Sequence, residues 1–267
     1  MPKPQILLTN DDGIRSPGLW AAAQALSRIG YVTVVAPREQ SSGMGRSLPI
    51  TSDGIIREER VQVNGQEWTV YAVGGSPAQA VLHGVLEVMP ARPDLVVSGI
   101  NYGENVAIGV SVSGTVGAAM EGAALGIPSL AISQQTPIDK HLSYSDEVDF
   151  SAAAHFAAYF GRLLLDGKLP PSVDLLKVDI PSDARPDTAW ELARLSRQRY
   201  FRPLAPNRTS WSAPASIGYD LAVSVDSEPP GTDVYVLLKK KRVAVVPLCL
   251  DFTAQVDFNE LGKLLRG

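Results

Sequence analysis

The stretch Ile6-Leu7-Leu8-Thr9-Asn10-Asp11-Asp12-Gly13 places two adjacent aspartates directly after an apolar, strand-like run. Like charges this close raise each other's pKa unless a cation neutralises them. In open α/β sheets, ligands bind beyond the carboxyl ends of the strands. Asp11 and Asp12 therefore indicate a site for a hard cation. The alternative is a solvated turn in which an aspartate caps a helix, because Asp-Gly is also common in turns.

Strands and helices are predicted to alternate through the first two thirds of the chain. Apolar runs indicate buried strands at 31–36, 94–98, 128–133 and 175–180, and helical spacing indicates helices at 17–29, 76–89, 118–125 and 149–165. Asn64-Gly65, between two strand-like segments, predicts a hairpin. Because such alternation builds parallel sheets, we expect an α/β fold over residues 1–181, with a Rossmann-like, mostly parallel sheet and helices on both faces.

Residues 182–267 differ in character, since they are rich in proline and aromatic residues and carry few helix patterns. Such a segment seldom supplies the core strands of a parallel sheet. We expect a hairpin-rich appendage, with a terminal strand and helix, that takes part in oligomerisation. The basic run Lys239-Lys240-Lys241-Arg242 is interpreted as a solvated turn ahead of the terminal strand.

The composition excludes several classes of protein. The net charge of −4 argues against a broad nucleic-acid surface, which needs clustered positive charge. The single cysteine, Cys249, excludes an intrachain disulfide framework, and its apolar neighbours predict a buried structural thiol in a reducing compartment. The N-terminus shows no signal-peptide core, and no segment has the apolar length of a membrane span. We therefore expect a cytoplasmic protein without membrane contact.

Three loops follow three of the predicted parallel strands, so they should emerge at one edge of the sheet. They are 10–13, 38–48 and 99–115, and their polar side chains include Asp11, Asp12, Ser42, Asn101 and Ser113. Carboxylate, hydroxyl and amide oxygens suit Mg²⁺, Mn²⁺ or Ca²⁺. His83, His141 and His155 lie outside these loops, and the sequence has no cluster with zinc spacing.

Ser113-Gly114-Thr115 stands where a helix is predicted to begin. Backbone N–H groups at a helix N-terminus attract phosphate, and a glycine lets its oxygens approach. An ordinary helix cap is the alternative, but the same edge also offers two carboxylates and an amide. A hard cation facing a phosphate cradle is suited to phosphoryl chemistry, in which the metal neutralises the phosphate and makes bound water more nucleophilic. Because no histidine lies in the loops, such a water or an aspartate must provide the attacking group.

Several motifs, in the same order, resemble the SurE family of stationary-phase survival nucleotidases. They are Leu7–Ile14 with Ser16-Pro17-Gly18, Val35-Ala36-Pro37 with Ser42-Gly43, Gly75-Ser76-Pro77-Ala78, Pro93–Asn101 and Ser113–Glu121, with a weaker echo in Val178-Asp179-Ile180-Pro181. The resemblance is strong over roughly the first half of the chain. It implies a metal-dependent phosphomonoesterase, a 5′-nucleotidase acting on 5′- and 3′-nucleotides and, in some members, short polyphosphate.

The resemblance also implies roles for individual residues. The family's metal ligands, for Mg²⁺ or Mn²⁺, fall on Asp11, Asp12, Ser42 and Asn101, of which Asp11, Asp12 and Asn101 are the expected catalytic residues. Its phosphate contacts fall on Asn105, Ser113, Gly114 and Thr115. Family members form dimers or tetramers through swapped C-terminal elements, so a homodimer or homotetramer is expected.

This chain departs from the family between Asn105 and Ser113. Many members have an acidic residue in this stretch and a tyrosine just before the serine, whereas here the stretch lacks an acid and Val112 takes the tyrosine's place. The predicted metal ligands are untouched, so activity should survive, and the departure bears on nucleotide preference.

Two readings of other classes fit less well. A Mg²⁺-binding receiver switch needs a third aspartate at the end of the central strand, and none stands between Ser98 and Asn101. A dinucleotide-binding or nucleotide-sensing module needs G-x-G-x-x-G in the first strand–helix turn, where this chain reads Asn10-Asp11-Asp12-Gly13-Ile14-Arg15.

Overall fold

The computed structural model describes residues 3–141, 144–145, 147–167, 169–222 and 225–267. Met1 and Pro2, the start of the N-terminus considered above, lie outside the described residues. The first half of the chain forms β1 (Gln5–Thr9), α1 (Pro17–Leu26), β2 (Tyr31–Pro37), β3 (Ile56–Val63), β4 (Gln66–Val73), α2 (Pro77–His83), β5 (Leu95–Tyr102), α3 (Gly114–Ala124) and β6 (Ser129–Gln134). The second half adds α4 (Ser151–Leu165), β7 (Leu175–Ile180), β8 (Trp190–Leu192), β9 (Phe201–Leu204), β10 (Gly218–Leu221), β11 (Val243–Leu248) and α5 (Phe258–Arg266).

Nine strands form one sheet in the order β3-β4-β2-β1-β5-β6-β7-β11-β8. The strand β1 pairs in parallel with β2 and with β5, and β5, β6 and β7 continue the parallel run. Two neighbouring pairs are antiparallel: β3 with β4 at one edge of the sheet, and β11 with β7. The prediction of an α/β fold with a mostly parallel sheet is confirmed, and β9 with β10 forms a separate small hairpin.

Alternate residues of β1 show how the sheet separates two helical layers. Ile6 and Leu8 pack in one core with α1 and α4, whereas Leu7 packs in a second core with α2 and α3. Because successive side chains of a strand point to opposite faces, a continuous apolar run is buried on both sides. The run that opens the sequence is therefore the central strand of a covered sheet.

Several predicted boundaries were wrong. The strand β5 extends to Tyr102, so Asn101 is the penultimate residue of a strand rather than part of a loop. The helix that begins at Pro77 ends at His83 and continues as a π-helical turn over Gly84–Val88. Cys249 follows the last residue of β11 and is exposed, so the prediction of a buried thiol was also wrong.

The C-terminal part of the chain contributes strands to the main sheet, which the sequence patterns did not predict. The strand β11 lies between β7 and β8, and β8 forms the edge. The predicted turn ahead of this strand is confirmed as solvated, and Lys240 and Arg242 pair there with Glu191. Among the described residues, every helix falls short of the length and apolar character that a membrane crossing requires.

A buried ion cluster, Lys177 with Asp179 and Asp233, joins the C-terminal part of the chain to β7 of the main sheet. The Lys177 Nζ donates to Asp179 and, at 3.1 Å, to Asp233, and all three side chains are fully buried. Burial alone would lower the pKa of Lys177, but the two carboxylates outweigh it and the pKa is raised. Lys177 is therefore charged, and its removal would leave two buried carboxylates without a cation.

Replacing Lys177 with methionine should destabilise the protein by about 3–5 kcal/mol, because breaking a buried ion pair leaves an uncompensated charge. Denaturant-induced unfolding measures the change. Lys240→Met is the matched control, since its pair with Glu191 is partly exposed and should contribute less than about 1 kcal/mol. Equal losses in the two variants would contradict the assignment of the cluster as a structural junction.

Candidate active site

The turn after β1 is built by the residues that made the sequence distinctive. The side chain of Asn10 donates to the Gly13 carbonyl at 3.1 Å and accepts from the Gly13 N–H at 3.2 Å. Gly13 has a φ of +96°, a conformation that glycine adopts without strain. The turn is closed on itself, and it holds Asp11 and Asp12 at the carboxyl edge of the sheet, where their side chains are only 4% and 1% exposed.

Asp11 lies against the N-terminus of α3. The Thr115 hydroxyl donates to its Oδ1. Burial raises the pKa of Asp11, while hydrogen bonds from the Thr115 side chain and from backbone N–H groups, including that of Gly114, oppose the rise. The first turn of α3 thus favours the charged form of Asp11 and offsets part of the effect of burial.

Asp12 is held by the neighbouring strand and by the second loop. Its Oδ2 accepts from the Tyr102 backbone N–H at 3.1 Å, and its Oδ1 accepts from the Gln40 side chain at 3.4 Å. Burial, and then the charge of Asp11, raise the pKa of Asp12 well above the ordinary value. Across the described ranges, no lysine or arginine forms an ion pair with either aspartate.

This donor set fits a divalent cation. Two buried carboxylates without a cationic partner create a strong negative potential, which a hard cation relieves. Within the described part of the chain, no three His, Cys, Asp or Glu side chains gather into a metal site, so neutral oxygens must complete the coordination. The Asn101 side chain provides one, because its amide nitrogen donates to the Gly103 and Tyr102 carbonyls at 2.7 and 3.2 Å and leaves Oδ1 available.

A cavity of about 590 Å³ opens at this edge of the sheet. The predicted site residues that line it are Asp11, Ser42, Asn101, Asn105 and Ser113. Asp12, Gly114 and Thr115 are not among the residues that line it. The hydroxyl of Thr115, which is fully buried, is engaged with Asp11, so its predicted phosphate contact stays a prediction.

Ser113 and Asn105, both in the third loop, are held in place by different elements: Ser113 by α3, and Asn105 by β6 and β7. Ser113 caps α3, and its hydroxyl oxygen accepts from the Val116 N–H at 3.1 Å. Asn105 is fixed on all sides: its backbone N–H donates to Asp179 at 2.7 Å, its carbonyl accepts from Lys177 at 3.0 Å, and its side chain donates to Ser133 at 2.9 Å. The ion cluster therefore supports the loop that lines the cavity.

The comparisons with known proteins agree with this geometry. The profile of the family described as "Survival protein SurE" matches residues 6–202. The chain belongs to the SurE family. It is 42% identical over 265 residues to 5′-nucleotidase SurE of Thermococcus gammatolerans, covering 98% of this chain and 96% of that protein. It is 38% identical over 269 residues to 5′-nucleotidase SurE of Methanosarcina mazei, covering 98% of each chain.

A solved structure of a SurE protein has the same fold. The crystal structure of the SurE protein from Aquifex aeolicus aligns with a TM-score of 0.76 and 29% identity, covering 98% of this chain and 100% of that chain. The resemblance inferred from the sequence motifs is confirmed.

Sequence reasoning missed several residues of this SurE cavity. His141 lines it, although this residue lies in none of the three loops. Glu104, Tyr200 and Tyr219 also line it. The position of His141 had a detectable signal, because it follows β6, a parallel strand whose carboxyl end meets the same edge. The stretch that departs from the SurE pattern forms a short 3-10 helix over Ala107–Ser111 on the cavity wall.

The stretch between Asn105 and Ser113 lacks an acidic residue, but Glu104, the residue just before Asn105, is acidic and lines the same cavity. Glu104 lines the cavity and accepts a hydrogen bond from the Tyr200 hydroxyl. Burial raises the pKa of Glu104 despite this bond. The carboxylate thus anchors the chain just before β9, and with it the β9–β10 hairpin.

Gly114→Ala should displace Asp11 and weaken both divalent-cation binding and any activity that depends on it. A Cβ at Gly114 would lie 2.7 Å from the Asp11 Cβ, closer than real contacts allow. Gly109→Ala is the matched control, because nothing lies within 4 Å of a Cβ there. Mn²⁺ titration by calorimetry measures the effect, and equal affinities in the two variants would contradict the close packing of α3 on Asp11.

Proposed function

We propose that this chain hydrolyses nucleoside monophosphates to nucleoside and phosphate, with a divalent cation held by Asp11, Asp12, Ser42 and Asn101. The observation that carries the proposal is the buried carboxylate pair, which abuts the N-terminus of α3 beside a cavity large enough for a nucleotide. The predicted enzyme class, a phosphomonoesterase of the 5′-nucleotidase type, agrees with relatives of nearly full length that bear the name 5′-nucleotidase SurE.

In this proposal some residues hold the cation, and others orient the phosphoryl group. A Mg²⁺ or Mn²⁺ ion, when bound, supplies neutralisation of the phosphoryl oxygens. The N-terminus of α3 lies against Asp11, and Ser113 lines the same cavity; both orient the phosphoryl group through hydrogen bonds. The Asn105 side chain, fixed by Ser133, limits how far that group shifts.

The finer assignments are part of the proposal. We assign 5′-nucleotides as substrates, with 3′-nucleotides and short polyphosphate as further candidates, and Ca²⁺ as a cation that occupies the site without being required. Nucleic acid and membranes are not expected partners, and the cytoplasm is the expected compartment. The division into a catalytic core, 1–181, and an appendage, 182–267, also stays a proposal, because β8 and β11 belong to the core sheet.

Assembly into a dimer or tetramer is supported by the surface of α5. This helix has no buried residue, and Phe258, Leu264 and Leu265 are 68%, 79% and 78% exposed. Apolar side chains grouped on one short helix are typical of an interaction surface. We therefore propose that α5 packs against a second copy of the chain.

Asp11→Asn should lower phosphate release from nucleoside monophosphates by more than about 100-fold, since even residues that only orient metal ligands contribute 10–100-fold. The amide keeps the size of the side chain but removes the charge that attracts the cation. Asp226→Asn, at a side chain that is 93% exposed, is the control. Undiminished turnover in Asp11→Asn would refute the site, and phosphate release by the wild-type protein must disappear in EDTA.

Ser113→Ala should raise KM for the nucleotide or lower kcat, and it should also cost about 1 kcal/mol of stability because the helix loses its cap. Ser113→Thr separates the two effects, since threonine keeps both the cap and the hydroxyl. Steady-state kinetics and thermal unfolding of both variants make the comparison. Wild-type kinetics in Ser113→Ala would remove this residue from the phosphate site.

A further inference from the structure

Beyond the carboxylates and the helix N-terminus, the cavity is walled by apolar side chains that solvent reaches. Ile108 lies on the 3-10 helix and Val112 directly follows it, while Ile217 and Tyr219 lie in or beside the β9–β10 hairpin; the four side chains are 46%, 59%, 69% and 42% exposed. Scattered exposed apolar residues need no explanation, but four that line one cavity beside a candidate catalytic site do. The pattern indicates that a flat, apolar group of a ligand is received here.

The aromatic residues on the hairpin side are held in a defined arrangement. The rings of His141 and Tyr219 are nearly parallel, with an interplanar angle of 20° and centroids 6.3 Å apart, and Phe201 meets Tyr219 edge-on at 5.3 Å. The Thr136 carbonyl can only accept, so His141 donates to it from Nε2 at 3.2 Å and accepts the Tyr219 hydroxyl at Nδ1, at 3.3 Å. Burial lowers the pKa of His141, in keeping with a neutral ring.

Few charged side chains of the described residues line the cavity. Asp11 belongs to the cation site, and Glu104 accepts from Tyr200. Arg199 is the remaining charged lining residue in the described part of the chain. A phosphate chain would need several cationic or N–H contacts along its length, which these apolar walls do not supply.

We infer that Ile108, Val112, Ile217 and Tyr219 form a slot for the nucleobase of the substrate. This inference rests on the proposed function and assigns the part of the substrate that the phosphate site leaves open. The base stacks on Tyr219 and lies between the 3-10 helix and the hairpin. Since stacking and apolar contact recognise every base through its ring face, the slot separates nucleotides from base-free phosphate esters more strongly than it separates one base from another.

The slot indicates what the replacement of the family's tyrosine by Val112 changes in this chain. Val112 takes the place of a tyrosine, so the wall at the start of α3 carries no aromatic ring. In this chain the stacking surface is supplied by Tyr219 of the hairpin, which lines the same cavity. The specificity of the reaction therefore depends on the C-terminal part of the chain, although the reacting groups all come from the first half.

The test compares kcat/KM for AMP, GMP, CMP and UMP with that for ribose 5-phosphate, using the full chain with Mn²⁺. In the wild-type protein each nucleotide should exceed ribose 5-phosphate by about tenfold or more, and Tyr219→Ala should reduce that ratio about tenfold. Tyr219→Phe keeps the ring and should keep the ratio. Trp211→Ala is the matched control, because Trp211 lies between β9 and β10, is 94% exposed and does not line the cavity.

The outcomes separate the slot from the proposed function. A ratio that is unchanged in Tyr219→Ala, or a loss that is equal for nucleotides and ribose 5-phosphate, would overturn the slot while leaving the phosphatase intact. If no ester is hydrolysed, the proposed function fails, and binding of adenosine by calorimetry then decides the slot. About tenfold weaker binding in Tyr219→Ala would support it; equal affinities, or no binding to the wild-type protein, would overturn it.

Discussion

The mutual repulsion of Asp11 and Asp12 is the constraint on which the rest of the site depends. Both carboxylates are buried at the end of the central strand; burial raises the pKa of each, and the charge of Asp11 raises that of Asp12 further. Such a pair is costly to fold unless a cation joins it. The surrounding elements favour the charged form without outweighing burial: Thr115 donates to Asp11 from the first turn of α3, and the Tyr102 backbone N–H donates to Asp12.

A second buried charge group explains why the cavity is built from distant parts of the chain. Lys177 binds the carbonyl of Asn105, and Asp233 accepts from the Ala107 N–H at 2.9 Å. Ala107 has a φ of +57°, a left-handed conformation that alanine adopts only at a cost, so this contact holds a strained loop in place. The loop that lines the cavity is thus fixed by β7 and by Asp233, which precedes the π-helical turn Tyr235–Lys239. The hairpin that covers the cavity is anchored to the same loop through Tyr200 and Glu104.

Local patterns predicted the elements that local chemistry determines. The apolar run of β1, the Asn64-Gly65 hairpin and the Ser113 cap were all foreseen, because each depends on neighbouring residues in the chain. The extension of β5 through Gly99 was not, since glycine weakens a strand pattern and pairing with β6 decides the outcome. The insertion of β11 beside β7 depends on long-range pairing, which spacing along the sequence does not encode. His141 lines the cavity because it follows the parallel strand β6, a signal that the three-loop prediction did not use. The prediction that Cys249 is buried was wrong because β11 ends at Leu248, the residue before it.

The most direct measurement is anomalous diffraction from a crystal grown with Mn²⁺ and inorganic phosphate. We predict one strong peak within about 2.5 Å of a carboxylate oxygen of both Asp11 and Asp12, with phosphate between that peak and the N-terminus of α3. A peak that contacts neither aspartate, or aspartates that turn away from Asn101 and Ser113 when the ion is supplied, would contradict it.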